Sequence, residues 1–194
     1  MKYGIMLKRT NLVRKHKLQE QGVSLVLVMI FLVILSVLGI NAMQSSTLSS
    51  RIARNESDRN VAFQAAESAL RDAENDIAYR RFDRTACNTT IAGCRIFEGL
   101  LNFDATCTDG LCDTVGAALT NIWATPSLWA PSGNSEAYGT HTGAANLPLV
   151  IRQPRYIIEG FQAGIDGSTV YRVTAVGFGA SESTQIMLQI SVKP

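Results

Sequence analysis

Val23-Ser-Leu-Val-Leu-Val-Met-Ile-Phe-Leu-Val-Ile-Leu-Ser-Val-Leu-Gly-Ile-Asn-Ala42 is the stretch whose reading decides the fold. No charge lies between Glu20 and Arg51. The apolar part runs for about 20 residues, enough for a helix to cross the hydrocarbon core of a bilayer. Ahead of it stand Lys2, Lys8, Arg9, Arg14, Lys15 and Lys17 against the single acid Glu20. Such an excess of basic residues predicts a cytoplasmic N-terminus, with residues 51–194 sent across the membrane. The expectation is a single-pass protein.

Beyond the apolar run the pattern changes without a break. From Arg51 to Arg84 there is neither Pro nor Gly, and the first Pro of the chain is Pro126. Ala62, Ala66, Ala69, Leu70, Ala73 and Ile77 recur at spacings of three and four, which is one face of an amphipathic helix. Arg59, Glu67, Arg71, Asp72, Glu74 and Asp76 are assigned to its solvated face. One helix is therefore predicted from Val23 to about Arg81, roughly 85–90 Å long at 1.5 Å per residue. Its first half is apolar all round and its second half on one side only.

Gly22 ahead of an apolar stem resembles the class III signal peptide of type IV pilins, in which the cut lies before the hydrophobic stretch. Gly22-Val-Ser-Leu-Val-Leu-Val-Met, Arg54-Asn55, Asp58-Arg59 and Phe63-Gln-Ala-Ala-Glu-Ser-Ala-Leu-Arg-Asp-Ala-Glu74 resemble the PilX-type minor pilins over residues 19–76. The resemblance implies an α+β type IV pilin fold: a long N-terminal helix packed on a C-terminal antiparallel β-meander. It also implies a structural subunit of pilus assembly rather than an enzyme. The leader, residues 1–22, would be removed between Gly22 and Val23 by the prepilin peptidase. Residues 23–50 would form the transmembrane and filament-core helix, and residues 51–194 the exported domain. The implied partners are other minor pilins, the major pilin, a tip adhesin and the inner-membrane assembly platform. After assembly the protein would stand on the pilus at the cell surface.

Three positions depart from the general pilin pattern. Pilins usually carry Glu at the fifth mature position, and here it is Leu27. That Glu is thought to neutralise the N-terminal ammonium of a neighbouring subunit, a pairing that makes a buried carboxylate tolerable. Its absence implies a priming position at the tip rather than in the shaft, the competing reading being a minor subunit that tolerates the loss of one contact. The first mature residue is Val23 in place of the usual Phe, and the frequent stem Pro is replaced by Gln44. The weak point of the stem is expected at Gly39–Ser50, where low helix propensity meets competing side-chain hydrogen bonds.

Residues 23–194 hold 12 basic and 15 acidic residues, a net charge of −3. No basic tract interleaved with aromatics points to nucleic acid. Residues 85–148 read as a loop-rich variable region, with a short helix near Val115–Trp123 and a mobile polar tract at Ser132–Ala145. Trp123 and Trp129 either cover the core or offer a partner anchor. Cys87, Cys94, Cys107 and Cys112 lie on the predicted exported side, where disulfides persist. Three connectivities are possible, and the local scheme Cys87–Cys94 with Cys107–Cys112 closes loops of a size that would staple this region. Zinc is the competing reading, disfavoured by spacings that are not C-x-x-C.

Residues 149–194 switch to period two. Leu149–Arg152, Arg155–Phe161, Thr169–Gly177 and Thr184–Val192 are β-branched and aromatic runs separated by Asp166-Gly167 and Gly179–Ser183. They predict an antiparallel meander laid on the amphipathic half of the helix. No cofactor or metal is expected. His141 has no evident nucleophilic partner and is expected in solvent, while Asp104, Asp109 and Asp113 lack the ligand spacing of a calcium loop. The competing readings are a K-type minor pseudopilin of a type II secretion system, which also lacks the Glu, and an uncleaved membrane-tethered binding module. A third is a secreted protein cut after Ala42, whose apolar region is far too long for an ordinary signal peptide.

Overall fold

The computed structural model describes residues 23–96, 99–113, 121–163 and 167–194, without the side chains of residues 44, 45 and 163. Two compact units divide the chain, Met1–Ser50 and Arg51–Pro194. Helix α1, Val23–Ile77, belongs to both. In the first unit every described side chain is exposed. The Gly39–Ser50 segment is helical, and the Ser50 hydroxyl donates back to the Ser46 carbonyl at 3.1 Å.

α1 stops at Ile77 rather than near Arg81. Tyr79 turns into the left-handed region, with φ 53°. Its amide donates to the Asp76 carbonyl at 3.0 Å, and the Arg80 amide donates to the Asn75 carbonyl at 2.8 Å. This is a Schellman closure, in which the residue past the cap reverses hand and satisfies the last carbonyls. Glycine usually fills that place, so a tyrosine there leaves no signal in the sequence. A tight hairpin follows, with the Cys87 amide donating to the Tyr79 carbonyl at 2.8 Å.

Among the described residues five strands form one sheet: β1 Leu111–Asp113, β2 Glu136–Ala137, β3 Arg155–Ala163, β4 Ser168–Phe178 and β5 Gln185–Val192. β3, β4 and β5 make the antiparallel meander that period two predicts. β2 pairs antiparallel to the start of β3, and β1 lies parallel to it with Leu111 opposite Ile158. Leu149–Arg152 is not a strand. Leu149 is left-handed (φ 65°) and exposed, and Pro154, which has no N–H to give a ladder, precedes β3.

The sheet is covered on both faces. Against α1 pack Tyr156, Ile158, Tyr171, Val173 and Ala175, which meet Ala69, Leu70, Ala73 and Ile77. The alanine stripe lets helix and sheet approach closely: a Cβ on Gly177 would collide with the Ala62 carbonyl and the Ala66 amide. On the opposite face Ile157, Val176 and Phe178 meet Ile122, Leu128, Trp129 and the Cys107–Cys112 pair. Burial on both faces explains why Tyr156, Ile157 and Ile158 are consecutive in β3, as in strands covered on two sides.

Candidate functional site

The stem offers one kind of chemistry. Gly22 lies outside the described residues. Val23 begins α1, and Leu27 follows one turn later on the same helix face. Their side chains are 71% and 63% exposed. No side chain from Val23 to Ser50 is charged, so this surface requires an apolar surrounding and offers no acid to an ammonium group. Among the described residues α1 is the one helix long and apolar enough to cross a membrane.

Asp72 and Asp76 are buried, against the expectation of a solvated helix face. A helix packed on a sheet buries one stripe, but here the chain from Tyr138 to Val150 covers a second flank. Asp72 accepts from the Gly139 amide at 2.7 Å and from the Thr142 hydroxyl. Burial, only partly offset by these two bonds, raises its pKa. Asp76 pairs with the Arg95 guanidinium and accepts from the Tyr156 hydroxyl at 3.0 Å. Arg95 also donates to the Asp109 carbonyl. Two helix carboxylates thus clamp the loops on either side of them to α1.

Both disulfides are local, Cys87–Cys94 and Cys107–Cys112. The second is wholly buried beneath β3 and carries β1. Reduction of the folded protein is expected to cost about 2–4 kcal/mol per bridge where it closes a native loop. Non-reducing mass spectrometry checks the pairing, with a mass four protons below the reduced chain. Four free thiols would refute it. Asp104 accepts from the side chains of Thr108 and Thr106 and from their amides, which holds its pKa down to about 2. It is a turn-forming acid. Among the described residues no three His, Cys, Asp or Glu cluster as a metal site.

The tract Ser132–Ala145 is pinned rather than mobile. Arg155 donates to the Gly133 carbonyl at 3.0 Å and to the Ser135 hydroxyl at 2.7 Å, while Ser135 donates to the Leu128 carbonyl at 2.6 Å. Trp129 is buried and its indole N–H donates to the Trp123 carbonyl at 2.8 Å, so this pair covers core. Most of the expected Val115–Trp123 helix lies outside the described residues, and Ile122–Ala124 is a 3₁₀ turn.

His141 is half-buried, not solvated. Nδ1 lies 3.2 Å from the Gly93 carbonyl and Nε2 lies 3.0 Å from Glu136. Both neighbours are acceptors, which fits the imidazolium with two donors. Burial opposes that charge most strongly, but the bond to Glu136 together with the negative charges of Asp76 and Glu136 outweighs it, and the pKa is raised above 6.5. A raised folded pKa gives stability that is full below the unfolded value and lost as pH rises through the folded one. Thermal melting should therefore fall as pH rises above about 6.5. His141→Gln should remove that slope, and a slope unchanged in the variant would exclude His141 as its origin.

Comparison with known families comes from two matches. The family model described as PilX N-terminal matches residues 21–71. The one described as type IV pilus assembly protein PilX C-term matches residues 98–194, half of the chain. No curated protein and no solved structure matches the chain. The apolar stem, the α1–sheet packing and these two matches together place the chain in the PilX family of type IV pilus assembly proteins, as a minor pilin.

Proposed function

We propose that this minor pilin primes assembly and stands at the pilus tip, and Leu27 is the observation that carries the reading. In a filament whose apolar core receives each new N-terminal ammonium, an acid at this position pairs with it. Leu27 cannot. A subunit without the acid suits the one place where no such pairing is required. Prepilin peptidase would remove residues 1–22, and before assembly the chain would sit in the inner membrane with its C-terminal unit in the periplasm. Its neighbours would be other minor pilins, the major pilin and a tip adhesin, delivered through the inner-membrane platform. The role is structural, with no catalytic step assigned to any residue.

Leu27→Glu is the test. At the tip the new carboxylate lies unpaired in apolar surroundings, unfavourable by several kcal/mol unless it protonates. Incorporation should stay level or fall, and deletion of the protein should reduce filament number more than length. Immunogold label spread along sheared filaments, and increasing with Leu27→Glu, would overturn tip placement.

A further inference from the structure

The two edges of the sheet differ. β3 is covered by β1 and β2, whereas among the described residues β5 pairs with β4 alone. The direction of its backbone groups follows from one bond: the Gly179 amide donates to the Thr184 carbonyl at 2.9 Å. These two residues continue the β4–β5 register, in which Phe178 faces Gln185. Alternate residues of an antiparallel pair bond to each other, so Ile186, Leu188, Ile190 and Val192 bond to β4. The N–H and C=O groups of Gln185, Met187, Gln189 and Ser191 point out of the open edge. The β2–β3 side agrees, because the Tyr138 amide donates to the Pro154 carbonyl at 2.9 Å, which fixes the opposite set on β3.

Proteins normally protect such an edge with charge, Pro, a bulge or a covering loop. Gln185–Val192 has no charged residue, no Pro and no Gly, and its pairing to β4 is unbroken. Its side chains alternate, with Gln185, Met187, Gln189 and Ser191 exposed and Ile186, Leu188, Ile190 and Val192 only half-buried. The row facing α1 is therefore incompletely covered along the same edge that lacks hydrogen-bond partners. A backbone in extended conformation satisfies both deficits at once, by adding a strand and laying alternate apolar side chains beside the half-buried row.

We propose that the open edge of β5 receives an extended, alternately apolar strand from another protein of the pilus assembly. This rests on the family assignment and not on tip placement. A second copy is disfavoured by symmetry. Antiparallel pairing of β5 with itself requires a two-fold axis normal to the sheet, which reverses α1 in the partner, whereas two copies anchored through α1 in one membrane would run in the same sense.

Gln189→Pro removes one outward N–H and no backbone bond to β4, although it also gives up the donation from the Gln189 side chain to the Thr174 hydroxyl at 2.9 Å. In the full chain in detergent its melting temperature should stay within a few degrees of wild type, while the amount recovered in sheared pili falls at least tenfold. If Gln189→Pro melts early, Met187→Lys with Gln189→Lys decides, since paired charges block an edge without touching the backbone. Wild-type incorporation of a folded edge variant overturns the proposal. A wild-type dimer in detergent that an edge variant dissociates overturns it too, by giving the edge to a second copy. Tip placement is read separately, from the position of immunogold label, so either idea can fail alone.

Discussion

Asp76→Ala should destabilise the Arg51–Pro194 unit by about 3–5 kcal/mol, because it breaks a buried ion pair from one side only. Asp76 keeps 1% of its side chain exposed and Arg95 10%. Truncation leaves the guanidinium in a poorly hydrated site and removes the acceptor of the Tyr156 hydroxyl. Domains of this size are stable by about 5–15 kcal/mol, so the loss is a large part of the whole. The damage should spread to the second disulfide loop, since Arg95 also holds the Asp109 carbonyl. Urea denaturation of the full chain in detergent gives the number. Replacing both partners, Asp76→Leu with Arg95→Met, should recover much of the loss, because apolar pairs of similar volume often equal a buried ion pair. A loss under about 1 kcal/mol for Asp76→Ala, within the range of exposed pairs, would show that the contact is not a clamp.

That clamp also shows where sequence reasoning stops. Apolar spacing located α1 and the three long strands, because period 3.6 and period 2 are properties of neighbouring residues. The same spacing put Asp72 and Asp76 in solvent, since it assumes one buried stripe. Their partners, Gly139, Thr142, Arg95 and Tyr156, are distant in sequence and belong to loops without periodicity. β1 leaves no signal in the sequence for a related reason. Three residues with one large apolar side chain, Leu111, carry no pattern, and the pairing to β3 joins segments far apart in sequence, with the Cys107–Cys112 pair packed in the core on the face opposite α1. The end of α1 was hidden by Tyr79 in a glycine's place. His141 and Ser132–Ala145 looked like solvated loop because polar composition says nothing of the acceptors that surround them. On the stem, by contrast, the functional reading is almost wholly in the sequence. The role proposed for Leu27 rests on a charge that is missing, and no folding is needed to see it.

Gly22→Leu should abolish maturation and with it incorporation into pili. The apolar run at Val23 follows Gly22 directly and marks the proposed boundary between leader and stem. A peptidase cutting there must bring the backbone close to its catalytic groups, and only glycine permits that approach without a Cβ in the way. A leucine side chain keeps the scissile bond out of reach. The uncut chain keeps Lys2, Lys8, Arg9, Arg14, Lys15 and Lys17 on its N-terminus. On the proposed topology those six charges would hold the leader on the cytoplasmic face and would not follow the stem into an apolar filament core. The variant should therefore accumulate in the membrane fraction at the higher mass of the precursor, with none in sheared pili. N-terminal sequencing of the wild type completes the test. A start at Val23 supports the cut, while a start at Met1 or Met43 points to a tethered or conventionally secreted protein. Normal processing and normal piliation with Gly22→Leu would remove Gly22 from the cleavage site, whatever the fate of the tip assignment.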